Sequence, residues 1–566
     1  MNDVERDLTT PPARPREMAA LGFERRPMVR WLSPGILAAA ALRVVASELF
    51  GQYADKREFE AALDPQPGPP LTYGESDEQD GALWLDFVAD LGDGFDATYA
   101  VASLLARPQL ELGDQALPRG RALVMGGDQV YPDPSREAYE HRFRGPYGAA
   151  FPWTHGRRPD LLAIPGNHDW YDGLTNFMRF FCGGKDIGAW RTRQRRSYFA
   201  VRLPHRRWLL GIDIQLDTYI DAPQLEYFKG VGLAPGDEIV LVTGKPCWTK
   251  VKDGHLPDSY KNLRYFEDEV VRAAGAEVRL TLTGDLHHYA RYAADDGSQL
   301  ITAGGGGAYL APTHLLPEEL ALPDRSLYTR KAIYPDKPTS ERIARGAWRL
   351  PQLAPDLCAV VAGMHVLLAV SLYGALSSNA GWFALFAVLA LVLVGAAFGY
   401  CSVEGRVRRA LAGGGHALAH IALACAPALV ATEALGAEGI LGGLLVAAAT
   451  ALSGFALGGV TFGSYLVLIH PIAPGHANEV LACQAIADHK NFLRLRLDAD
   501  GVTIFPVGLP RVPRAWAPAP DGGTEAPYLR PTDRELEAQL IEAPVHVPDN
   551  RRVPGAEPVA AAAAGS

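Results

Sequence analysis

Four short blocks of the chain carry side chains that can do chemistry. They are Asp90-Leu-Gly-Asp93, Gly127-Asp128-Gln-Val-Tyr131, Gly166-Asn167-His168-Asp169 and Gly284-Asp285-Leu-His287-His288-Tyr289. Each follows a strand-like run. Together they offer hard carboxylate oxygens, a carboxamide and imidazoles, a donor set that suits a first-row divalent or trivalent metal ion. Two such ions about 3.5–4 Å apart can share a hydroxide and clamp both sides of an in-line attack at phosphorus. A pair of that kind needs a bridging carboxylate, and Asp128 is the natural one.

The elements that must position these blocks follow from pattern. Ala122–Met125 is a short apolar run that stops at two glycines, which free the backbone for a tight turn before Asp128. An acid held there lies at the C-terminal end of a strand, where α/β sheets place ligands. Further strand-like runs cover Trp84–Ala89, Leu161–Ile164, Tyr198–Leu203, Trp208–Ile214, Glu238–Val242 and Val278–Leu282, with Gly, Pro and Asp loops between. Ser197–Leu203 and Trp208–Gln215, joined by Pro-His-Arg-Arg, read as a hairpin, so the sheet is expected to be mixed. Gly304–Gly307 is no phosphate loop, because no Gly-Lys-Ser/Thr follows it.

A chain of 566 residues exceeds one core. A net charge of −10 argues against nucleic acid as a partner. Six scattered cysteines with no CxxC pair exclude a thiolate zinc site and a disulfide framework. The first residues carry acids and prolines but no apolar core of a secretory signal. The expected layout is a leader and helix over 1–70, an α/β catalytic domain over 71–315 and a basic linker over 316–356. An apolar helical region over 357–470, a small β-hairpin region over 471–516 and a disordered tail over 517–566 follow. The helix falls within Trp31–Leu63, either packed on the catalytic domain or lying on a bilayer surface. The hairpin reads from NFLRLRLDADGVTIFPV at Asn491–Val507.

Leu357–Leu376 and Gly381–Tyr400 are free of formal charge and each long enough for one bilayer crossing. Ala410–Thr432 carries His416, His420 and Pro427, and Ile440–His470 is long enough to tilt. The spacings Gly454-x3-Gly458 and Gly459-x3-Gly463 suit close helix contact. Short connectors at Ser377–Ala380 and Glu433–Gly439 lack Lys and Arg. Arg406, Arg408, Arg409, Lys490, Arg494 and Arg496 flank the other ends. The positive-inside rule then predicts an integral, four-span protein with its catalytic domain and C-terminus in the cytoplasm. Few polar residues fall within the spans, which disfavours transport.

The four blocks in this order resemble the calcineurin-like metallophosphoesterase superfamily. Asp90-Leu-Gly92 is similar to its D-x-G form, Gly127–Tyr131 to G-D-x-x-Y and Gly166–Asp169 to G-N-H-D. The first two variants look like the purple acid phosphatase branch. Gly304–Gly307 resembles the glycine cluster after the last family block. The multi-span tail and N-F-L-R hairpin are similar to plant and bacterial membrane members. The resemblance covers about residues 84 to 315. It implies a metallophosphoesterase-type double mixed β-sheet sandwich flanked by helices. It also implies one or two ions of Mn, Fe, Zn or Mg, and hydrolysis of a phosphomonoester or phosphodiester by metal-bound hydroxide. Membrane tethering favours a lipid-linked or membrane-proximal substrate.

The resemblance also implies roles. Asp90, Asp128, Tyr131, Asn167, Asp285 and His287 would bind metal. His168 would act as general acid, and Asp169 would orient its imidazole. Two departures weaken the second metal. Gly244 stands where the family has a lone His, and Asp285 stands for the first His of the last block. Asp93 or His255 is a substitute ligand, or Asp93 is a helix cap. Tyr131 is a ligand or a core residue, and His288 points away from the site. The run Arg191, Arg193, Arg195, Arg196 is an anion site or a solvated loop. His416 and His420 form a polar site or an interhelical hydrogen bond. A catalytically weak scaffold or sensor remains the rival function.

Overall fold

The computed structural model describes residues 10–39, 42, 69–214, 220–251, 256–324, 326–377 and 380–552. Residues 34–39 are helical, and most of the helix expected over 31–63 lies outside the described residues. So does His255. The chain divides into two compact units. One comprises Met1–Val29, Arg43–Pro335 and Ala487–Ser566; the other comprises Arg30–Leu42 and Asp336–Ile486.

The first unit is mixed α/β with two large sheets. In one, Leu83–Val88, Ala122–Met125 and Asp160–Ala163 run parallel, so their C-terminal ends line up along one edge. In the other, Arg207–Gly211, Glu238–Thr243 and Glu277–Thr283 run parallel in the same way, and Phe199–Leu203 pairs antiparallel with Arg207–Gly211. Strand alternation builds the layers. Leu83, Leu85 and Phe87 enter a buried cluster with Val201, Leu209, Val240 and Leu280 of the other sheet. Trp84 and Val88 point the opposite way, into a core shared with helix Phe95–Leu105. Leu210, Ile239 and Leu241 face a third core with helix Asp258–Phe266. Helix, sheet, sheet and helix thus stack as layers, and each central strand is buried on both faces.

The C-terminal hairpin is not a separate region. Lys490–Asp498 pairs with Gly501–Leu509 and, on its other side, with Leu83–Val88 in the register Leu493↔Phe87. Arg494 is fully buried there and holds both oxygens of Asp86, at 2.7 and 3.1 Å. Lys490 is buried as well. Neither is therefore a loop charge of the kind the positive-inside rule counts.

The leader and tail also differ from expectation. Val29 donates its amide to Asp93 at 2.8 Å, and the Arg14 guanidinium binds the carbonyls of Ala519, Gly523, Ala526 and Pro527. The tail supplies strands at Trp516–Pro518, Leu529–Pro531, Gln539–Leu540 and Val545–Pro548. Its composition is poor in apolar residues, but Trp516 and Leu529 sink into the core beside Tyr99. Backbone pairing with Gly501–Leu509 does the rest. Residues 553–566 lie outside the described residues.

In the second unit four apolar helices, Pro355–Leu376, Gly381–Tyr400, Arg406–Ala434 and Gly439–Ile469, are long enough to cross a bilayer.

Candidate active site

Three site acids share an unusual backbone. Asp90, Asp128 and Asp285 all sit at positive φ, 58°, 51° and 67°. That left-handed conformation is uncommon outside glycine, and such residues cluster at functional sites. It turns each carboxylate off the end of its strand. The loops lock by backbone bonds: the Asp90 amide to Gly127 O at 3.0 Å, Leu91 to Asp128 O at 2.9 Å, and Ala308 to Asp90 O at 2.9 Å. Gly304 is required because a Cβ there would collide with Asp90 Oδ2.

Tyr131 is the point of convergence. Its hydroxyl lies 3.1 Å from each of Asp90 Oδ1, Asp128 Oδ2 and His287 Nε2. The His287 ring stands edge-on to Tyr309. Asp90 also accepts the Asp285 amide at 3.1 Å. Tyr131 is thus buried and in contact with the acids, not a bystander in the core. His288 is buried alongside.

The other face of Asp128 is satisfied by backbone. Its Oδ1 accepts the His168 amide at 2.9 Å. Asp169 does not orient His168. Its carboxylate caps the short helix Asn167–Trp170 through the Gly166 amide at 2.8 Å, and it also takes the Gln129 amide and the Tyr139 hydroxyl. Successive residues of a helical turn point about 100° apart, so neighbours cannot share a target. The His168 ring is fixed instead by Nδ1 at 2.9 Å from the Pro132 carbonyl. That oxygen only accepts, so Nδ1 carries the hydrogen and Nε2 is left as the reactive nitrogen. Asn167 Nδ2 donates to the Tyr171 hydroxyl at 3.1 Å, and Asp285 is half-buried. Gly244 follows the strand end at Thr243, which pairs in register with Thr283, so it lies at the edge that carries Asp285 and offers no side chain. Asp93 does not cap the next helix. Gly94 is the N-cap of the next helix, and Asp93 accepts the amides of Val29 and Tyr309. Within the arginine run Arg196 holds the Tyr198 hydroxyl at 2.7 Å and Arg191 lies 3.7 Å from Asp160, while Arg193 and Arg195 are exposed.

Burial shapes the protonation of the site. It pushes the Asp90 carboxyl well above its usual range, with Asp128 and Asp285 adding to the effect. Burial, then Asp285, lifts Asp128 to about 7, and burial, then Asp128, lifts Asp169 to about 8. Burial holds His168 down to about 4, and burial, then Lys490, depresses His287 well below its ordinary value. These directions describe acids without enough positive charge beside them.

Lys490 is a site neighbour that local sequence reading missed. Its ammonium is buried and donates to the Ala308 carbonyl at 2.5 Å, and burial lowers its pKa to about 7. Its neighbour Asn491 packs on Gly305 and donates its amide to that residue's carbonyl at 3.0 Å. A polar Lys-Asn pair opening an apolar strand was the available signal.

Among the described residues, no group of three or more His, Cys, Asp and Glu side chains is spaced to hold a metal ion as it stands. The donors at Tyr131 nevertheless fit such an ion in kind: two carboxylates, an imidazole and a phenol. The buried Asp90 Oδ2 has no hydrogen-bond partner among the described residues, which marks a place for a positive group.

No family model and no curated protein matches the chain. One solved structure, described as "Structure of PhoD", is similar over 43% of this chain and 59% of its own length, at 12% identity and a TM-score of 0.27. The chain thus spans about three fifths of that protein. At this score the likeness is weak, and the reading of the site rests on its own geometry.

Proposed function

We propose that the first unit is a metal-dependent phosphoesterase, within the metallophosphoesterase-type sandwich that the sequence motifs suggest. The observation that carries this is the convergence of Asp90, Asp128 and His287 on one buried hydroxyl, with an unpartnered carboxylate oxygen at its edge. Buried acids in that state are stabilised by a cation. In this reading Asp90, Asp128, His287 and Tyr131 would hold the ion. A divalent ion held there would supply Lewis acidity at phosphorus and would lower the pKa of water.

The chain's own residues do the remaining work. Pro132 fixes the His168 ring and leaves Nε2 to face a leaving-group oxygen. In the free protein this imidazole is neutral at pH 7, because burial lowers its pKa to about 4. A phosphate dianion beside it favours the protonated form, so binding of substrate is what arms it as an acid. Asp169 holds the turn that carries His168 in place through Gly166 and Gln129. The substrate class is a phosphomonoester or phosphodiester. The four apolar helices form a membrane anchor, with the basic-flanked face in the cytosol, and this favours a lipid-linked or membrane-proximal substrate.

The test is metal content per chain measured beside turnover of mono- and diester substrates with Mn, Fe, Zn and Mg. About one tightly held ion and turnover that depends on His168 are expected. Less than one ion and no turnover with any of the four would sink the reading. A second reading, a catalytically weak scaffold, is favoured by the bare edge at Gly244; bound metal without turnover would select it.

A further inference from the structure

The few polar side chains of the second unit are not scattered. His365 of Pro355–Leu376 places Nε2 2.8 Å from His420 Nδ1 of Arg406–Leu429. His420 Nε2 lies 3.0 Å from His416 Nε2, one helical turn away. All three rings are buried. The His416 ring stacks on Tyr465 at 4.0 Å and 8°. The Tyr465 hydroxyl stands 3.4 Å from His476 Nε2, and His476 Nδ1 is 3.8 Å from the half-exposed Glu479 carboxylate. Tyr400 packs on His476 from the neighbouring helix. The glycine spacing noticed in the sequence has a specific use here. A Cβ at Gly454 would come 3.1 Å from His365 Nδ1, and one at Gly458 2.9 Å from its Cε1, so the two glycines form the notch that admits the ring. Thr450, one turn before Gly454, buries a hydroxyl with no hydrogen-bond partner among the described residues.

The geometry points to a proton relay: we propose that His365, His420 and His416, continued by Tyr465 and His476 to Glu479, conduct protons through the helical unit. The nitrogens form a line and do not converge on one point, which suits a relay and not a metal cage. The three-histidine segment ends in two buried atoms, His365 Nδ1 and His416 Nδ1, that have no hydrogen-bond partner among the described residues. A proton accepted at His365 Nδ1 drives the Nε2 hydrogen onto His420 Nδ1. The His420 Nε2 hydrogen passes to His416 Nε2, and His416 releases its Nδ1 hydrogen to the Tyr465 hydroxyl as that hydroxyl gives its own to His476 Nε2 and His476 gives its Nδ1 hydrogen to the Glu479 carboxylate. One proton enters and one leaves, and each tautomer is reversed; the return stroke restores them. The link from His416 to Tyr465 is a ring stack, so ring rotation or a water completes it. Buried imidazoles in an apolar bundle are costly and mark ion or proton paths. The relay needs these helices to span a bilayer, but it is independent of the phosphoesterase reading.

The test uses the full chain in liposomes enclosing a pH dye, with a potassium diffusion potential to drive protons inward. Resistance to alkaline extraction separately shows that the helices are inserted. Wild-type protein should acidify the lumen faster than protein-free vesicles, and His420→Phe should return the rate to the protein-free level. Gly454→Ala, which crowds His365, should slow it. Should His420→Phe fail to insert, Glu479→Gln at the partly exposed far end decides, and it too should slow the flux. Inserted wild-type protein no faster than empty vesicles, or His420→Phe as fast as wild type, would overturn the relay. So would a Zn or Cu ion retained through dialysis by wild type and lost in His420→Phe, which would reassign the cluster as a metal site.

Discussion

Asp128 looks in two directions, and the two sides of it are built differently. Its Oδ2 meets Tyr131, which also gathers Asp90 and His287. Its Oδ1 meets the His168 amide, beside an Asn167 tied to Tyr171 and an edge that ends in Gly244. The first side concentrates buried acidity and leaves Asp90 Oδ2 unpartnered. On the second side Asp128 Oδ1 takes a backbone amide and Asn167 is held by a side-chain bond. An ion gains most where protein groups have not already neutralised the acids, so the first side should fill first and hold tighter.

The largest break in this comparison is Asp128→Asn. It removes a charge common to both sides. Turnover should fall to background and metal content below one ion per chain, since the ion's charge stabilisation is worth several kcal/mol. Metal analysis of the purified variant checks it; a variant that keeps both its ion and its turnover refutes the assignment. His168→Asn separates chemistry from binding. Turnover should fall about 10²–10⁴-fold with metal content unchanged. Loss of metal together with activity would place His168 among the ligands instead. Tyr131→Phe tests whether the phenol is a ligand or a brace. Metal affinity should weaken about 10–100-fold, the usual effect of losing a supporting partner.

Lys490 sharpens the same comparison from behind the first side. Burial lowers its pKa from 10.5 to about 7, a gap worth roughly 5 kcal/mol. Between those values the unfolded chain binds the proton and the folded chain does not. Stability from this group therefore rises with pH through the window from 7 to 10.5, and the full penalty stands below pH 7. Lys490→Met should raise the melting temperature at pH 6 and flatten the rise above pH 7, while lowering metal-dependent turnover through the Gly304–Gly307 loop that Lys490 supports at Ala308. Melting curves across pH check it. A variant less stable than wild type at pH 6 would show that the Ala308 bond outweighs the burial.

How far the site was legible depended on distance along the chain. Asp90, Asp128 and Asp285 were legible because each ends an apolar run, and their positive φ agrees with the turn the glycines announce. The four long apolar helices were legible because a bilayer-length run without charge is a local signal. Lys490 and Arg494 were not. Arg494 is buried by pairing with a strand about four hundred residues upstream and Lys490 bonds Ala308, 182 residues upstream, and nothing in NFLR names either partner. The leader and tail were misjudged for a related reason: Arg14 and residues 519–527 are each polar alone and ordered only by one another. Asp169 was misassigned because a carboxylate beside a histidine in sequence reads as its partner, while the helical turn sends the two side chains apart.

Gly244→His makes the finest cut. Thr243 pairs with Thr283, so an imidazole at 244 would leave the sheet edge beside the loop of Asp285. If that side is weak for want of a ligand, one more nitrogen should raise affinity for a second ion by about 10–100-fold, the size of effect that single supporting groups have at metal sites. The first ion, assigned in the proposed function to Asp90, Asp128, Tyr131 and His287, should keep its affinity. Titration of the metal-free protein should then show two steps where wild type shows one strong step and a weak tail. An unchanged second step would mean that Asp285 and Asn167 are turned away from each other for reasons a new ligand cannot repair, and that Asp128 serves a single ion.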